Sequence, residues 1–417
     1  MKRFTFNKQF MVLMFLLLNC FASYAADEDL ITEQITIQLT EAGTLPKKIA
    51  RSKKYLVTNL KIIGEINGTD LRYLREMAGC YVKGENGKLS ILDLSEARIV
   101  EGGDYYYDDG ATHYRTSNNI MGACAFTYCE SLTSIKLPSS VTKIDGFAFN
   151  WCPSLTSVNI PSSVTEIGMC AFSHCSSLTS INIPSSVTEI GREAFEHCTS
   201  LTSVNIPSSV TEIRYYAFYA CESLKSVNIS SSVIGESAFE GCSSLTSVNM
   251  QSGVTEIRYN AFSSCSSLTS VNIPSSVTEI GMYAFSDCTS LASIKIPSSI
   301  KFIKSEAFLF CKSLKSIYVF AEDVPNTSNG AFEGCDSKNC TVYVPKGTCD
   351  AYLVSEFGYF ENIVEFDAIT SIHNTVATPE VKETARYAVN GQRLTAPIKG
   401  INLVKYSDGT VKKEFVK

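Results

Sequence analysis

Cysteine is the residue of this chain with the greatest capacity for chemistry, and its spacing indicates which chemistry to expect. Ten of the 16 cysteines stand three residues after the phenylalanine of an Ala-Phe-x-x-Cys pattern. They are Cys129, Cys152, Cys175, Cys198, Cys221, Cys242, Cys265, Cys288, Cys311 and Cys335. A structural zinc site needs four converging ligands, whereas each repeat here supplies one thiol. Free cysteine behaves as a small, readily buried hydrophobic residue. The spacing therefore predicts a column of packed thiols, not disulfides or a metal site.

The other six cysteines do not follow this spacing. They are Cys20, Cys80, Cys124, Cys170, Cys340 and Cys349. If Cys20 belongs to a leader segment, the remaining set is odd and cannot pair completely. Cys340 and Cys349 form the local candidate for a disulfide.

Histidine occurs only four times, at His113, His174, His197 and His373. His174 and His197 occupy one position in adjacent repeats, so we expect a surface pair that lacks the further ligands of a zinc site. Neither a Gly-x-Ser-x-Gly motif nor a glycine-rich phosphate-binding motif occurs. We therefore predict a non-enzymatic protein with no catalytic residues, metal or cofactor. An enzyme within residues 27–119 is the alternative.

A repeated element must position all these residues. The repeat alanine recurs every 23 residues, apart from one step of 21 and one of 24. In one repeat, Leu155, Val158 and Ile160 follow Leu-x-x-Leu-x-Leu spacing, and the alternation around Asn159 predicts a short strand with one buried face. Pro161 ends that strand because proline cannot donate to a ladder. A second extended segment follows. The alanines are Ala125, Ala148, Ala171, Ala194, Ala217, Ala238, Ala261, Ala284, Ala307 and Ala331.

The Ala-Phe-x-x-Cys block places Ala171, Phe172 and Cys175 at a spacing that predicts one tight helical turn with its apolar side inward. A period of 20–29 residues with this leucine spacing is typical of leucine-rich repeats, whose coils bury their apolar side by stacking on one another. We predict a β-rich leucine-rich-repeat solenoid of parallel short strands, extended turns and single helical turns, plus a small C-terminal β-domain. The inward residues are Leu155, Val158, Ile160, Val164, Ile167, Ala171, Phe172 and Cys175.

The regular repeat divides the chain into segments. Residues 26–119 are predicted to be an N-terminal cap with divergent repeats, residues 120–345 about ten coils, and residues 346–368 a C-terminal cap. Residues 369–417 contain Asn390-Gly391 and Asp408-Gly409, which are hairpin signals, and predict a small β-domain for sorting or anchoring. We expect residues 104–110 to form a solvated inserted loop.

The N-terminus indicates export. Residues 1–25 combine an early basic pair, a short apolar segment and small residues before Ala26, as in a cleaved signal peptide. Lipid attachment at Cys20 is the alternative. No later segment has the ~20 continuous apolar residues of a membrane span. The net charge of −6 gives no basic stripe for nucleic acid.

The repeat Leu-Thr-Ser-Val-Asn-Ile-Pro-Ser-Ser-Val-Thr-Glu-Ile-Gly-x-x-Ala-Phe-x-x-Cys resembles the BspA-type leucine-rich repeat family over residues 120–345. The segments 59–64 and 92–95 also resemble the head region of such proteins from Bacteroidetes. This resemblance implies exported surface proteins of host-associated bacteria, some of them adhesins for matrix proteins or cells. The tail, with Tyr387, Gly400 and residues 412–417, resembles the C-terminal sorting domain of type IX secretion.

Two kinds of surface column are candidate binding sites. Outward strand positions are mostly Ser and Asn, including Asn159, Asn182 and Asn205, and form either a solvated face or a broad binding face. Variable positions beside Ala-Phe carry aromatic residues, which are favoured interface anchors but also pack along grooves between coils. The aromatic candidates are Trp151, Tyr215, Tyr216, Tyr219, Tyr259 and Tyr283.

These features predict a non-catalytic, adhesin-like binding protein that is exported, either secreted or held at the cell surface or outer membrane. Its expected partner is a host or bacterial protein, such as a host matrix protein, or another cell-surface ligand. The alternative is binding of glycans or mucin, with Ser and Asn hydrogen bonds and aromatic stacking supplied by the same columns. We expect no nucleic-acid partner and no transmembrane span.

Overall fold

The computed structural model describes residues 30–80, 87–367, 383–388, 392–406 and 411–416. The chain divides into two compact units between Glu365 and Phe366. The predicted signal peptide, the alternative lipid site at Cys20 and the two hairpin signals lie outside the described residues. So does His373.

The first unit is a parallel solenoid, as the repeat predicts. Its Ser-Val-Asn strands pair in parallel, with like residues opposite one another: Ser180 pairs with Ser203 and Asn182 with Asn205. They form two consecutive sheets. The first comprises Ile35–Leu39, Asn59–Ile66, Ile91–Ile99, Ser134–Lys136 and Ser157–Asn159. The second comprises Ser180–Asn182, Ser203–Asn205, Ser226–Ile229, Ser247–Met250, Ser270–Asn272, Ser293–Ile296, Ser316–Val319, Thr341–Pro345 and Asn362–Phe366.

A ten-stranded sheet forms from the second extended segment of each coil. Its strands are Ile120–Met121, Lys143–Ile144, Glu166–Ile167, Glu189–Ile190, Glu212–Ile213, Val233–Ile234, Glu256–Ile257, Glu279–Ile280, Phe302–Ile303 and Asn326–Thr327. In a typical coil the isoleucine is buried and the glutamate is partly exposed, as for Ile167 and Glu166. The alternation of polar and apolar residues therefore directs one face of these short strands to the core.

The phenylalanines of the ten repeats form a continuous stack through the core. All ten rings are buried. Successive centroids lie 5.2–5.6 Å apart, with interplanar angles of 2–9°. This confirms that each coil seals the apolar side of the next. The stacked residues are Phe126, Phe149, Phe172, Phe195, Phe218, Phe239, Phe262, Phe285, Phe308 and Phe332.

The cysteine column has a hydrogen-bonding role as well as a packing role. From Cys152 to Cys335, each column thiol donates to the phenylalanine carbonyl of the preceding coil, at Sγ–O distances of 3.0–3.3 Å. Burial raises the pKa of Cys198 to about 12. Cys198 is therefore a neutral thiol, and the buried thiols of the column link neighbouring coils.

Cys129 departs from this pattern, and the prediction that it is a free column thiol was wrong. It forms a disulfide with Cys80 from the N-terminal segment. The physical reason is its position in the first regular coil, where no preceding repeat phenylalanine offers a carbonyl to the thiol. Cys340 and Cys349, the local candidate pair, are both free.

The Ala-Phe-x-x-Cys block is not the single helical turn predicted from its spacing. Each block, here called the turn segment, is a run of β-turns with two residues in the left-handed region, the one before Ala and the one before Cys. Left-handed residues every fourth position cannot continue an α-helix. Instead, alternate N–H groups donate to the next coil, as from Phe172 to the Ala194 carbonyl at 2.8 Å and from His174 to Glu196 at 2.8 Å.

The segment before the first regular coil contains two helices and a hairpin. Helix α1 is Leu45–Lys48 and helix α2 is Gly68–Met77. Strands Gly102–Asp108 and His113–Thr116 form the antiparallel hairpin. The expectation of a solvated loop at residues 104–110 was therefore wrong, because Tyr106 is buried and its hydroxyl donates to the Ala123 carbonyl at 2.7 Å.

The C-terminal end of the phenylalanine stack is covered by aromatic residues. Helix α3 is Cys349–Leu353, and a 3-10 helix covers Glu356–Tyr359. The Phe332 ring contacts Phe357 and Phe360, with centroids 5.2 and 5.4 Å away. The second unit contains a four-stranded antiparallel sheet. Its strands, in spatial order, are Arg393–Leu394, Glu383–Ala388, Gly400–Tyr406 and Val411–Val416.

Candidate binding surface

The turn segments present an ordered column of side chains at the left-handed residue before each cysteine. In the first four regular coils this position is occupied by Tyr128, Trp151, His174 and His197, with φ between 54° and 61°. Backbone hydrogen bonds between coils place this residue at the equivalent point of each successive coil. Because side chains leave the backbone in the same direction, the rings of adjacent coils are forced into contact.

These rings form a continuous stack on the surface. The Trp151 and His174 centroids are 4.1 Å apart with planes at 15°, and His174 and His197 are 4.7 Å apart at 16°. Tyr128 stacks on Trp151 at 6.5 Å. Tyr128 and Trp151 remain 45% and 46% exposed, which separates this outer stack from the buried phenylalanines.

The stack continues into a tyrosine cluster where the next coil has Ala220 in the left-handed position. His197 contacts Tyr219 edge-on at 5.4 Å, Tyr219 contacts Tyr216 at 4.7 Å, and Tyr216 contacts Tyr215 at 3.9 Å. We call this continuous surface the aromatic ridge. Its members are Tyr128, Trp151, His174, His197, Tyr219, Tyr216 and Tyr215.

The charges around the ridge are modest and mixed. The Arg192 guanidinium lies 4.9 Å from the Tyr215 ring centroid, a cation–π distance. Burial, together with the neighbouring His197, lowers the pKa of His174. His174 therefore stacks as a neutral imidazole at neutral pH, which favours close contact. A hydrogen bond with Tyr216, with burial, raises the pKa of Tyr215 to about 12.

The other predicted site residues lie elsewhere. Tyr259 and Tyr283 contact each other edge-on at 5.8 Å, in later coils than the ridge. Asn159, Asn182 and Asn205 are exposed on the Ser-Val-Asn strands, on a different side of the coil from the turn segments. The structure thus brings Trp151 together with Tyr215, Tyr216 and Tyr219 but does not bring the asparagines to them. The asparagine columns and the aromatic ridge are therefore two separate sets of exposed residues.

Sequence reasoning missed three ridge residues. Tyr128 was not selected, and His174 and His197 were expected to be a surface pair with no binding role. Successive steps of 23 residues from Tyr128 through Trp151 and His174 to His197 would have placed all four in one column. Within the described part of the chain, no three His, Cys, Asp or Glu residues converge to hold a metal ion.

A sequence profile for the BspA type leucine rich repeat region matches residues 119–243 and 211–339, which together span more than half of the chain. The chain belongs to this family. BspA-type repeat proteins are typically non-catalytic and typically exported or on the cell surface, and the family suggests a binding role carried by the repeats. Among the described residues, no helix is both long enough and apolar enough to cross a bilayer.

Several solved structures are similar to this BspA-type protein. A leucine-rich repeat protein from Bacteroides ovatus ATCC 8483 shares 27% identity, covering 62% of this chain and 90% of that one, with a TM-score of 0.30. A leucine rich cell surface protein from Faecalibacterium prausnitzii A2-165 shares 25% identity, with coverages of 64% and 87% and a TM-score of 0.30. The T. pallidum leucine rich repeat protein shares 33% identity, with coverages of 38% and 78% and a TM-score of 0.36. No curated protein matches the chain.

Proposed function

We propose that this chain is an exported, adhesin-like binding protein that recognises a protein partner through the aromatic ridge. The observation that carries the proposal is the unbroken contact of seven rings, from Tyr128 to Tyr215, across five adjacent coils. Tyr and Trp are enriched among the residues that dominate protein interfaces, because they bury a large area with few rotatable bonds.

The backbone beneath the ridge supports this role. A non-glycine residue in the left-handed region costs roughly 1–2 kcal/mol. Later coils place Gly241 and Gly334 or the non-glycine residues Ala220, Ser264, Asp287 and Phe310 at the same position, whereas all of the first four coils carry Tyr, Trp or His there. Strained positions that keep large side chains favour a functional role for those side chains. The underlying stack of buried phenylalanines fixes the ridge in place, so little conformational entropy is lost on binding.

Ring orientation favours a protein partner over a glycan along the ridge. From Trp151 to His197 the faces of the rings lie against one another, so their edges are the parts directed to solvent. Ring edges are positively polarised and attract carbonyl and carboxylate oxygens. A sugar ring stacks on an aromatic face, and the interior of the stack leaves none open. Glycan or mucin binding along the columns is therefore the alternative that the following measurement separates.

The test begins with capture of partners by the full chain from host serum, extracellular matrix and bacterial lysates. Affinity for the captured protein is then compared between the wild type, Trp151→Ala and the triple variant Tyr215→Ala/Tyr216→Ala/Tyr219→Ala. Loss of interface anchors predicts at least about 30-fold weaker binding for each.

The matched control is Asn159→Ala/Asn182→Ala/Asn205→Ala, which removes the same number of exposed side chains from the strand side. Its affinity is expected to remain within a factor of about three. Equal affinity of the ridge variants and the wild type would remove the ridge from the proposal. Strong signals on a glycan array that these ridge variants abolish, without a protein partner, would favour the alternative.

We also propose that residues 1–25 direct export and that residues 369–417 act as a sorting or anchoring domain, with residues 26–119 and 346–368 capping the solenoid. Support comes from the apolar leader in the sequence and from the family's usual location. Deleting residues 369–417 is expected to leave the solenoid folded and to move the protein from the cell surface to the periplasm. Unchanged surface display would contradict the sorting role.

A further inference from the structure

The first regular coil has backbone carbonyls whose equivalents in interior coils accept N–H groups from the preceding coil. Between interior coils, three N–H groups of one turn segment donate to carbonyls of the next, as from Tyr128 to the Asn150 carbonyl at 2.9 Å. The equivalent carbonyls of the first coil belong to Ala123, Ala125 and Thr127. No earlier turn segment lies before them to supply the N–H groups.

Two of these three carbonyls receive substitute donors from the N-terminal segment. The Tyr106 hydroxyl donates to the Ala123 carbonyl at 2.7 Å, and the Arg75 guanidinium donates to Ala125 at 2.8 Å. The Thr127 carbonyl receives no hydrogen bond from the residues that the structure describes. An acceptor that each later coil satisfies therefore has no donor among the described residues, although Thr127 as a whole is only 3% exposed.

This carbonyl belongs to a residue that lines a cleft of about 460 Å³ between the hairpin and the first coil. The cleft is lined by Arg75, Tyr107, Asp108, Asp109, Thr127 and Tyr128. Tyr128 both stacks on Trp151 and lines the cleft. The cleft thus occupies the place where a preceding coil would add the next ring and the next N–H donor.

The polar groups of the cleft define what fits there. Arg75 is 6% exposed, lies 4.5 Å from the Tyr107 ring centroid, and keeps its charge at neutral pH although burial lowers its pKa to about 10. Asp108 and Asp109 are exposed; their carboxylates already accept hydrogen bonds from the N–H groups of Gly110, Ala111 and Thr112 and from the Tyr114 hydroxyl, and they keep further acceptor capacity. A guanidinium donor, two carboxylate acceptors and an open carbonyl together suit a ring that carries several hydroxyls. A Phe, Tyr or Trp side chain offers at most one polar group, and a strongly charged ligand meets charges of both signs.

We propose that this cleft binds a neutral pyranose ring of a glycan. The apolar face of the sugar stacks on the free face of Tyr128, and one hydroxyl donates to the Thr127 carbonyl. Further hydroxyls donate to the carboxylates or accept from Arg75. The site completes the stack as a missing coil would, and it does not depend on a protein partner along the ridge.

The test is saturation-transfer difference NMR on the full chain with the methyl glycosides of glucose, galactose, mannose and N-acetylglucosamine as probes. We expect transfer to ring protons of at least one probe. Tyr128→Ala is expected to weaken that binding about tenfold, because the stacking face is removed. Tyr128→Phe keeps the face and is expected to bind within a factor of about three of the wild type.

Phe310→Ala is the matched control, since Phe310 occupies the same left-handed position in a distant coil with 40% exposure. Its sugar binding is expected to equal that of the wild type. Absence of transfer to every glycoside, or equal binding by Tyr128→Ala, would overturn the proposal. So would transfer to N-acetyltyrosinamide in place of the sugars, because the cleft would then accept a peptide ring. The ridge is tested separately with variants that leave Tyr128 intact, so each proposal fails independently.

Discussion

Replacing Phe172 with alanine tests the stacked core at one defined ring. The side chain is fully buried, and its centroid lies 5.2 Å from Phe149 and 5.4 Å from Phe195. The change removes the ring from both neighbours and leaves a cavity between coils whose backbones are tied by hydrogen bonds. Because those bonds limit collapse of the cavity, we expect a loss of about 3–5 kcal/mol, the range for buried Phe→Ala substitutions.

The expected loss is local to the interfaces on either side of the substituted coil. In a repeat protein, stability is approximately the sum of terms within coils and between neighbours. The assay is urea unfolding followed by circular dichroism, together with amide hydrogen exchange of the coils around Ala171. We expect a lower unfolding midpoint and faster exchange in the three coils that contain these rings.

Phe310→Ala again supplies the control, because it truncates an exposed phenylalanine that lies in a turn segment and outside the buried stack. Its free energy of unfolding is expected to change by less than about 0.5 kcal/mol. If Phe172→Ala lowers the free energy of unfolding by less than about 1 kcal/mol, the reasoning is refuted, because removing a buried ring with two stacked neighbours should destabilise the fold by more than that.

Three further perturbations test other contacts. Cys198→Ala removes the thiol's hydrogen bond to the Phe172 carbonyl, 3.2 Å away, and is expected to cost about 1 kcal/mol in urea unfolding, with Cys198→Ser recovering part of it. Arg75→Met removes the only described donor to the Ala125 carbonyl and one of two donors to the Cys124 carbonyl, and should cost about 1–3 kcal/mol and speed hydrogen exchange there; unchanged exchange would contradict the capping role. Burial acts to raise the pKa of Asp93, but hydrogen bonds from Ser95 and Lys136 outweigh it and lower the pKa to about 2. A lowered carboxylate pKa stabilises the fold above the unfolded value of 3.8, so this contribution should be lost as pH falls from about 4 to 2, and Asp93→Asn should remove that part of the acid sensitivity of the melting temperature.

The repeated core was predictable from the sequence because each inward position is apolar in almost every coil. Phe172 and its equivalents recur at a fixed period, and a residue type that returns at one offset must meet its own copy in the next coil. The strand around Val158 could be predicted because polar and apolar residues alternate there, which gives the strand one buried face whatever its neighbours are.

The turn segment was mispredicted because its geometry depends on the neighbouring coil. The spacing of Ala171, Phe172 and Cys175 fits a helical turn, but the left-handed conformation of Cys170 and His174 follows from hydrogen bonds to the next coil. Residue conformational propensities do not indicate the left-handed conformation here, since neither Cys170 nor His174 is glycine. Tertiary contacts between coils determine the backbone here.

The ends of the solenoid escaped prediction for a related reason. Periodicity treats all coils as equivalent, whereas the first coil lacks a preceding copy. Cys129 therefore pairs with Cys80, and Tyr106 and Arg75 donate to carbonyls that a coil would otherwise cover. The aromatic ridge was also only partly predictable. Trp151 was recognisable as a candidate interface residue, but its contact with His174 became evident only from the structure.

Hydroxyl-radical footprinting of the full chain, with and without its captured protein partner, tests the proposed binding surface most directly. Aromatic side chains are readily oxidised, so the method reports on Trp151, His174 and Tyr216 individually. The ridge predicts strong protection of these three side chains in the complex and little change at Tyr318 and Tyr343, which stack on the strand side. Protection of the strand-side tyrosines with unchanged oxidation of the ridge would contradict it.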